Sequence, residues 1–258
     1  MLRAHLESMS SGIYAIYSAL QSRTQALDTA ANNLANVGAH GFRAQRDYFR
    51  SLMDTADTQG QPEASQVGRA VNNYNLLGGN RLDTTQGQIE TTGNPLDLAL
   101  QGNGFFGIKT AQGTRYTRDG GFQRSENGTL VTQHGDAVLN QSGSPITLPS
   151  GQIHIAENGM ISVSGPEGSA IVGQVGVFDF GPGQLTNQGT NLFAAADGAT
   201  PQTGAAVVRQ GALEGSNEDA IHGTMELILT QRQTEMMQKA LSIFNSFDKT
   251  AGEDLGRI

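Results

Sequence analysis

Between Ser10 and Asn36 a large apolar residue returns every seven positions, at Ile13, Leu20, Leu27 and Leu34, with Ile16, Tyr17, Thr24 and Ala31 at the intervening sites and no proline in the run. A helix sets residues seven apart on one face, so the spacing predicts a long amphipathic helix with a heptad seam. Four heptads make a helix of roughly 40 Å at about 1.5 Å per residue, longer than a globular domain asks of its first element. Ser10 or Ser11 can cap its first turn. Gly38 and Gly41 stop it, because glycine tolerates the left-handed conformation that ends helices.

The far end of the chain carries a second stripe. From about Asn217 to Thr250, Ile221, Met225, Ile228, Leu229, Met236, Ala240, Ile243 and Phe247 follow three- and four-residue steps. Ser216 with Asp219 three residues on resembles a capping box with Asp in place of Glu, and Glu218 and Asp219 suit the positive end of a helix dipole. Gln231, Arg232, Gln233 and Thr234 interrupt this stripe at mid-length, so its seam is less regular than that of a dedicated dimeric zipper.

Between the helices, from about Leu82 to Leu213, the apolar period drops from about 3.6 residues to about 2, and turn residues recur at short intervals. Candidate strands are Leu96 to Gln101, Phe105 to Lys109, Thr114 to Thr117, Leu130 to Thr132, Ile153 to Ile155, Ile161 to Val163 and Gln174 to Phe180. Asn127-Gly128 and Asn158-Gly159 have the preferred composition of type I′ hairpin loops and sit in similar hexapeptides, one hairpin device used twice. Composition agrees: 34 glycines and only 16% charged residues fit a turn-rich β protein better than a helical enzyme. Met53 to Arg81, rich in Gln, Asn, Gly, Asp and Thr, reads as a loop or a weakly paired arm.

Chemistry finds little purchase. A formal charge of −8 leaves no electrostatic footprint for nucleic acid or for an anionic membrane surface. The absence of cysteine removes disulfides, thiolate metal sites and cysteine nucleophiles together, and suits a chain that crosses a membrane unfolded. The first fifteen residues hold Arg3, His5 and Glu7 but no apolar block, so no cleaved Sec-type signal is expected. No stretch approaches the ~20 apolar residues of an integral membrane helix. Gly102-Asn103-Gly104 lacks the third glycine and the Lys-Ser/Thr pair of a phosphate loop and reads as a β-turn. His5, His40, His134, His154 and His222 have no ligand spacing, so neither a metal nor a cofactor is expected. Asp97 and Asp119 are the only acid–base pair that can be named, and nothing marks them out from surface charges. No catalytic residue is assigned, and an enzyme is not expected.

Ala31-Asn32-Asn33-Leu34-Ala35-Asn36-Val37 followed by Gly41-Phe42-Arg43 resembles the N-terminal motif of the axial proteins of the bacterial flagellum, the rod, hook and hook-associated subunits. Asn94-Pro95-Leu96-Asp97-Leu98-Ala99-Leu100 with Gly104-Phe105-Phe106, and Tyr116-Thr117-Arg118-Asp119-Gly120-Gly121-Phe122, are similar to β-domain blocks shared by rod and hook proteins. Leu213-Glu214-Gly215-Ser216-Asn217 and the helix around Glu235-Met236 complete a resemblance that covers essentially the whole chain. The chain departs from the family pattern at Gly38-Ala39-His40, where Asn-Thr-Pro or a similar triplet is usual, and in a long tail after Phe247.

The resemblance implies a structural subunit of the basal-body rod, since the short β domain resembles the rod subunits more than the hook protein, with the proximal form favoured over the distal. It implies partners of three kinds: further copies in a helical filament, other rod and hook subunits, and the flagellar type III export apparatus. It also implies location in the periplasm-spanning rod. The expected fold is α+β, with N- and C-terminal helices paired as a coiled coil and a central β-rich domain. The expected divisions are an N-terminal helix at 1–36, a linker or extended arm at 37–81, a β-rich outer domain at 82–213 and a C-terminal helix at 214–258. Assembly contacts are expected at Ile13, Ile16, Tyr17, Leu20, Leu27 and Leu34 and at Met225, Ile228, Leu229, Met236, Ile243 and Phe247. The alternatives are a distal rod or hook-type subunit, a β-rich adhesin with helical anchors, and a periplasmic hydrolase using Asp97 and Asp119.

Overall fold

The computed structural model describes residues 2–50, 76–165, 168–189 and 191–255. The chain divides into two compact units, one of Met1–Leu34, Gln45–Arg81 and Ala220–Ile258, the other of Ala35–Ala44 and Leu82–Asp219.

The first unit holds two long helices, α1 (Leu2–Ala35) and α2 (Ala220–Leu255), and a two-stranded sheet of β1 (Gln45–Arg50) and β2 (Leu76–Leu82). Most of the segment expected as a loop or arm, 51–75, lies outside the described residues, while its end forms β2. On α1 the buried side chains are small: Ala19, Ser22, Ala26, Ala30 and Asn33. On α2 the least exposed line runs through Gly223, Leu227, Thr230, Thr234, Met237 and Leu241. The hydroxyls on these lines bond backward along their own helix, Ser22 Oγ to the Ser18 carbonyl at 2.9 Å and Thr234 Oγ1 to the Thr230 carbonyl at 2.9 Å. Such a bond gives a buried hydroxyl one partner within its own helix.

These faces correct the expected fold class. Pairing the terminal helices as a coiled coil through their large apolar stripes would bury those stripes, yet Ile221, Met225, Ile228, Leu229, Met236 and Ile243 are all exposed. What the chain has is a helix at each end and a many-stranded region between them. A hydrophobic repeat identifies the residues that gain most from leaving water, and it does not say that their cover lies in the same chain. The helix start differs too. The helix α2 begins at Ala220, and Ser216 Oγ accepts from the Glu218 amide at 3.0 Å, a serine turn ahead of the helix in place of a capping box.

In the second unit a twisted antiparallel sheet runs in the order β14 (Leu185–Asn187), β15 (Phe193–Ala195), β6 (Gly113–Thr117), β5 (Phe105–Thr110), β9 (Ala137–Val138), β8 (Leu130–Val131) and β7 (Gln123–Arg124). Strand β13 (Val177–Asp179) joins it beside β5 and carries β16 (Gln202–Thr203). A three-stranded sheet is formed by β10 (Gln152–Ile155), β11 (Met160–Gly165) and β12 (Gly168–Gln174). Two strand pairs complete the unit: β4 (Leu98–Gln101) with β17 (Val207–Gln210), and β3 (Ile89–Thr91) with β18 (Ala212–Glu214). One core gathers Leu98, Leu100, Phe106, Ile108, Leu130, Val138, Leu148 and Ile161, and a smaller one is aromatic, with Tyr116 meeting Phe178 edge-on at 5.6 Å. The strand expected from Gln174 to Phe180 is two strands, β12 ending at Gln174 and β13 starting at Val177; between them Gly176 lies so close to Asn140 that a Cβ there would be 2.7 Å from its carbonyl oxygen.

The hairpin device recurs more often than the Asn-Gly pairs suggest, and in another form. Segments 125–129, 132–136, 140–144 and 156–160 each close with two main-chain bonds, from the fourth residue back to the first and from the first to the fifth. Gly128, Gly135, Gly143 and Gly159 supply the positive φ at the fourth position. Among the described residues other than glycine only Asn191 has positive φ, so Asn127 and Asn158 are not in the left-handed conformation a type I′ turn needs. The loops at His134-Gly135 and Ser142-Gly143 have no asparagine before the glycine, so an Asn-Gly signal does not mark them.

Candidate functional site

Three segments far apart in the chain meet inside the second unit. Arg43 follows the Gly41-Phe42 turn, Arg118 follows β6, and Glu214 ends β18. Arg43 Nη2 donates to Glu214 Oε1 at 2.6 Å, and Arg118 Nη1 donates to Glu214 Oε2 at 2.9 Å. The Gly87 amide also donates to Glu214 Oε1, at 2.8 Å. Arg118 further donates to the carbonyls of Leu100 and Gly102, and its guanidinium lies 5.3 Å above the Phe105 ring. All three charged side chains are buried to within 3% of complete exclusion from solvent. Burial pushes the Arg118 pKa down, with Glu214 opposing the shift and the like charge of Arg43 adding to it. Two cations on one carboxylate in a low-dielectric setting make each partner costly to remove, since the survivor is left charged and unpaired.

The backbone around this node is threaded tightly. The Gly41 amide donates to the Glu214 carbonyl at 2.7 Å. Gly41 has φ of 67°, and a Cβ there would sit 2.2 Å from the Asp119 nitrogen. At Gly120 a Cβ would lie 1.6 Å from the Leu98 carbonyl oxygen, so only glycine fits. Asn217 completes the joint: its Oδ1 accepts from the Ala44 amide at 2.7 Å and its Nδ2 donates to the Asp83 carbonyl at 2.9 Å and the Thr85 carbonyl at 3.1 Å. Gly215 donates from its amide to the Gln88 carbonyl at 2.8 Å.

A similar device works in the first unit. Asn33 Nδ2 donates to the Gln45 carbonyl at 2.8 Å while the Gln45 amide donates to Asn33 Oδ1 at 3.0 Å, so one side chain pairs with the backbone of β1 as a strand would. Thr29 Oγ1 donates to Asp47 Oδ1 at 3.3 Å. Burial and the negative charge of Glu226 raise the Asp47 pKa, with the Thr29 hydroxyl working against them.

The structure separates the expected residues into two groups. The motif residues Asn33, Gly41, Phe42, Glu214, Gly215, Ser216 and Asn217 all lie in these joints, whereas Asn32 and Ala35 are exposed on α1 and Asn36 opens the turn after it, accepting from the Ala39 amide at 3.0 Å. Of the residues expected to make assembly contacts, Tyr17, Met225, Ile228, Leu229, Met236 and Ile243 are exposed and Leu20, Leu27 and Leu34 half-buried. Ile13, Ile16 and Phe247 fall on the helices, with side chains outside the described set. Asp97 and Asp119 hold turns: Asp97 accepts from Thr92 Oγ1 at 2.6 Å and Asn94 Nδ2 at 2.8 Å, and Asp119 from the Gly121 amide at 3.0 Å. Sequence reasoning did not single out Arg43 and Arg118 as a pair, because nothing local reveals that two arginines 75 residues apart share a carboxylate.

The geometry defines a protein whose key polar residues close joints between chain segments, and comparison with known proteins supplies the class. Residues 13–43 match the family model of the flagella basal body rod protein, residues 99–163 that of the flagellar hook protein FlgE/F/G D1 domain, and residues 209–252 that of the flagellar basal body rod FlgEFG protein C-terminal. Each matched segment contributes one member of the Arg43–Arg118–Glu214 node. The chain is 31% identical to the flagellar basal-body rod protein FlgF of Caulobacter vibrioides, over 97% of this chain and 100% of that protein. It is 32% identical to the rod protein FlgG of Bacillus subtilis, over 92% of this chain and 94% of that one. With FlgF of Mesorhizobium japonicum the identity is 31%, over 95% and 99%. The chain belongs to the flagellar basal-body rod protein family.

Proposed function

We propose that this chain is a structural subunit of the bacterial flagellar basal-body rod, polymerising helically into the shaft that carries torque from motor to hook, and that it performs no catalysis. The observation that carries this reading is the exposed face of α2 on a chain that aligns with a rod protein over 97% of its length. Met225, Ile228, Leu229, Met236 and Ile243 are large, apolar and in solvent in the single chain. Such a face marks an interaction surface. In a helical polymer it meets a different patch on the next copy, and the apolar residues of α1 from Ile13 to Leu34 are the complementary candidates. Among the described residues no helix is long and apolar enough to cross a membrane. Location in the periplasm-spanning rod, export through the flagellar type III apparatus, and contact with other rod and hook subunits follow from this assignment. Within the rod we favour the proximal form; relatives named FlgF and FlgG match this chain at like identity, 31% and 32%. The short β region separates the chain from the hook.

The test is complementation. A strain lacking the gene should not swim, and the wild-type chain should restore swimming. A Met225→Lys, Leu229→Lys double variant should be exported and folded yet leave basal bodies without a complete rod under electron microscopy. Normal rods in the double variant would remove the α2 face from assembly, and swimming in the deletion strain would remove the rod assignment itself.

A further inference from the structure

Three asparagines precede a glycine, Asn103, Asn127 and Asn158, and the fold holds one of them differently from the others. An asparagine in such a pair reacts without an enzyme when the next amide nitrogen attacks its side-chain carbonyl carbon, and glycine, having no Cβ, leaves that approach open. The attacking nitrogen must be free to lose its proton, so a hydrogen bond donated by the glycine amide blocks the step.

At two of the pairs that amide is engaged. Gly128 donates to the Ser125 carbonyl at 2.9 Å and Gly159 to the Ala156 carbonyl at 2.8 Å, each inside a loop closed by a second main-chain bond. Asn158 is held further, its Oδ1 accepting from the Met160 amide at 3.0 Å and its carbonyl from Gln174 Nε2 at 2.7 Å. At Asn103 the arrangement is the reverse. This residue is exposed in a bend between two glycines of positive φ, Gly102 at 105° and Gly104 at 140°, and the Gly104 amide has no hydrogen-bond acceptor among the described residues. The glycine cannot be replaced by a less reactive neighbour, because a Cβ at 104 would lie 2.7 Å from Val177 Cγ1.

We propose that Asn103 is a site of spontaneous modification, at which the folded chain loses a side-chain amide while Asn127 and Asn158 are preserved. Water is the only co-reactant. The Gly104 nitrogen bonds to Asn103 Cγ, the Cγ–Nδ2 bond breaks, and ammonia leaves with the proton of the glycine amide, so that a cyclic imide remains. Water then opens either carbonyl of the ring, giving aspartate or, with the main chain rerouted through Cβ and Cγ, isoaspartate. Isoaspartate lengthens the backbone by one atom between two anchored points. On one side the Gly102 amide donates to Gln86 Oε1 at 3.1 Å and the Gly102 carbonyl accepts from Arg118 Nη2; on the other, Phe105 lies under the same guanidinium. The modification therefore loosens Arg118 in the Arg43–Arg118–Glu214 node. The site is a property of the single chain, whatever that chain assembles with.

The experiment ages the purified full chain in mildly alkaline buffer, folded and in urea, and follows each Asn-Gly peptide by mass spectrometry, with isoaspartate identified by isoaspartyl methyltransferase labelling. In the folded chain Asn103 should convert at least about tenfold faster than Asn127 or Asn158, since each of those first requires a hydrogen-bonded loop to open. In urea the three rates should converge. The aged chain should melt below the fresh one, and Asn103→Gln should hold its midpoint through the same ageing. Asn103→Asp, which adds the charge without the extra backbone atom, should melt with the fresh wild-type chain. Equal conversion at the three positions in the folded chain overturns the proposal, as does a ranking that persists in urea, where no fold remains to impose it. An Asn103 that stays intact in the folded chain overturns it as well, and a fully converted chain with an unchanged midpoint overturns the effect on Arg118.

Discussion

Arg43 and Glu214, 171 positions apart, meet through a 2.6 Å charge-assisted hydrogen bond with both side chains wholly out of solvent. Arg43 lies in the short segment Ala35–Ala44 of the second unit and Glu214 near the end of its long segment Leu82–Asp219, so one carboxylate ties the two segments together and to Arg118. Replacing Glu214 by Gln leaves two guanidiniums buried without a counter-charge. Chemical denaturation of the full chain should show a loss of about 3–5 kcal/mol in the second unit. A loss below about 1 kcal/mol would mean that the node is replaceable by neutral hydrogen bonding.

Gly41→Ala and Gly120→Ala should each destabilise by about 2 kcal/mol or more, since their Cβ atoms would collide with main-chain atoms of Asp119 and Leu98 that cannot swing away. Gly38→Ala is the control, with nothing within 4 Å of the added carbon, and its melting midpoint should stay at the wild-type value. Equal midpoints for Gly38→Ala and Gly120→Ala would contradict the close approach of the two segments.

Asn33→Ala removes both bonds to Gln45 and leaves a carbonyl and an amide of β1 without their partner. A cost of about 1–3 kcal/mol is expected. Amide hydrogen exchange should rise at Gln45 while the core strands β5 and β6 keep their protection. Unchanged exchange at Gln45 would show that β1 is held by other contacts.

Asp47 gives a pH signature. Its pKa is raised in the folded chain, so the fold prefers the neutral carboxyl: the stabilising preference is complete below the ordinary value of 3.8 and is lost as pH rises through the folded value. At neutral pH the ionised carboxylate, desolvated and beside Glu226, is a liability. Asp47→Asn should therefore raise the melting midpoint around pH 7, and the gain should vanish by about pH 3. A gain that persists in acid would assign the effect to something other than charge.

Much of this architecture is legible in the residues. Seven-residue spacing announced a helix at the start of the chain, three- and four-residue steps announced one at its end, and alternation with glycine-marked turns announced the β region. Those patterns arise from local backbone geometry, which repeats every few residues and therefore leaves a periodic trace. Two Asn-Gly pairs mark the turn device in the sequence, and among the described residues it occurs four times, because the requirement is a glycine at the fourth position and a short polar side chain or a plain backbone carbonyl suffices at the first.

What the sequence determined by itself was the kind and order of the elements, together with the blocks that mark the family. Tertiary structure alone decided which face of each helix is covered and which chain segments meet. The stripe from Met225 to Ile243 is the best hydrophobic pattern on α2, yet it lies in solvent while Gly223 and Thr234 are buried, because burial depends on what stands opposite and a periodicity does not encode that. Likewise Arg43, Arg118 and Glu214 look like three ordinary surface charges in the sequence. Only the fold, by bringing them together where water is excluded, turns them into a joint whose members cannot be exchanged singly.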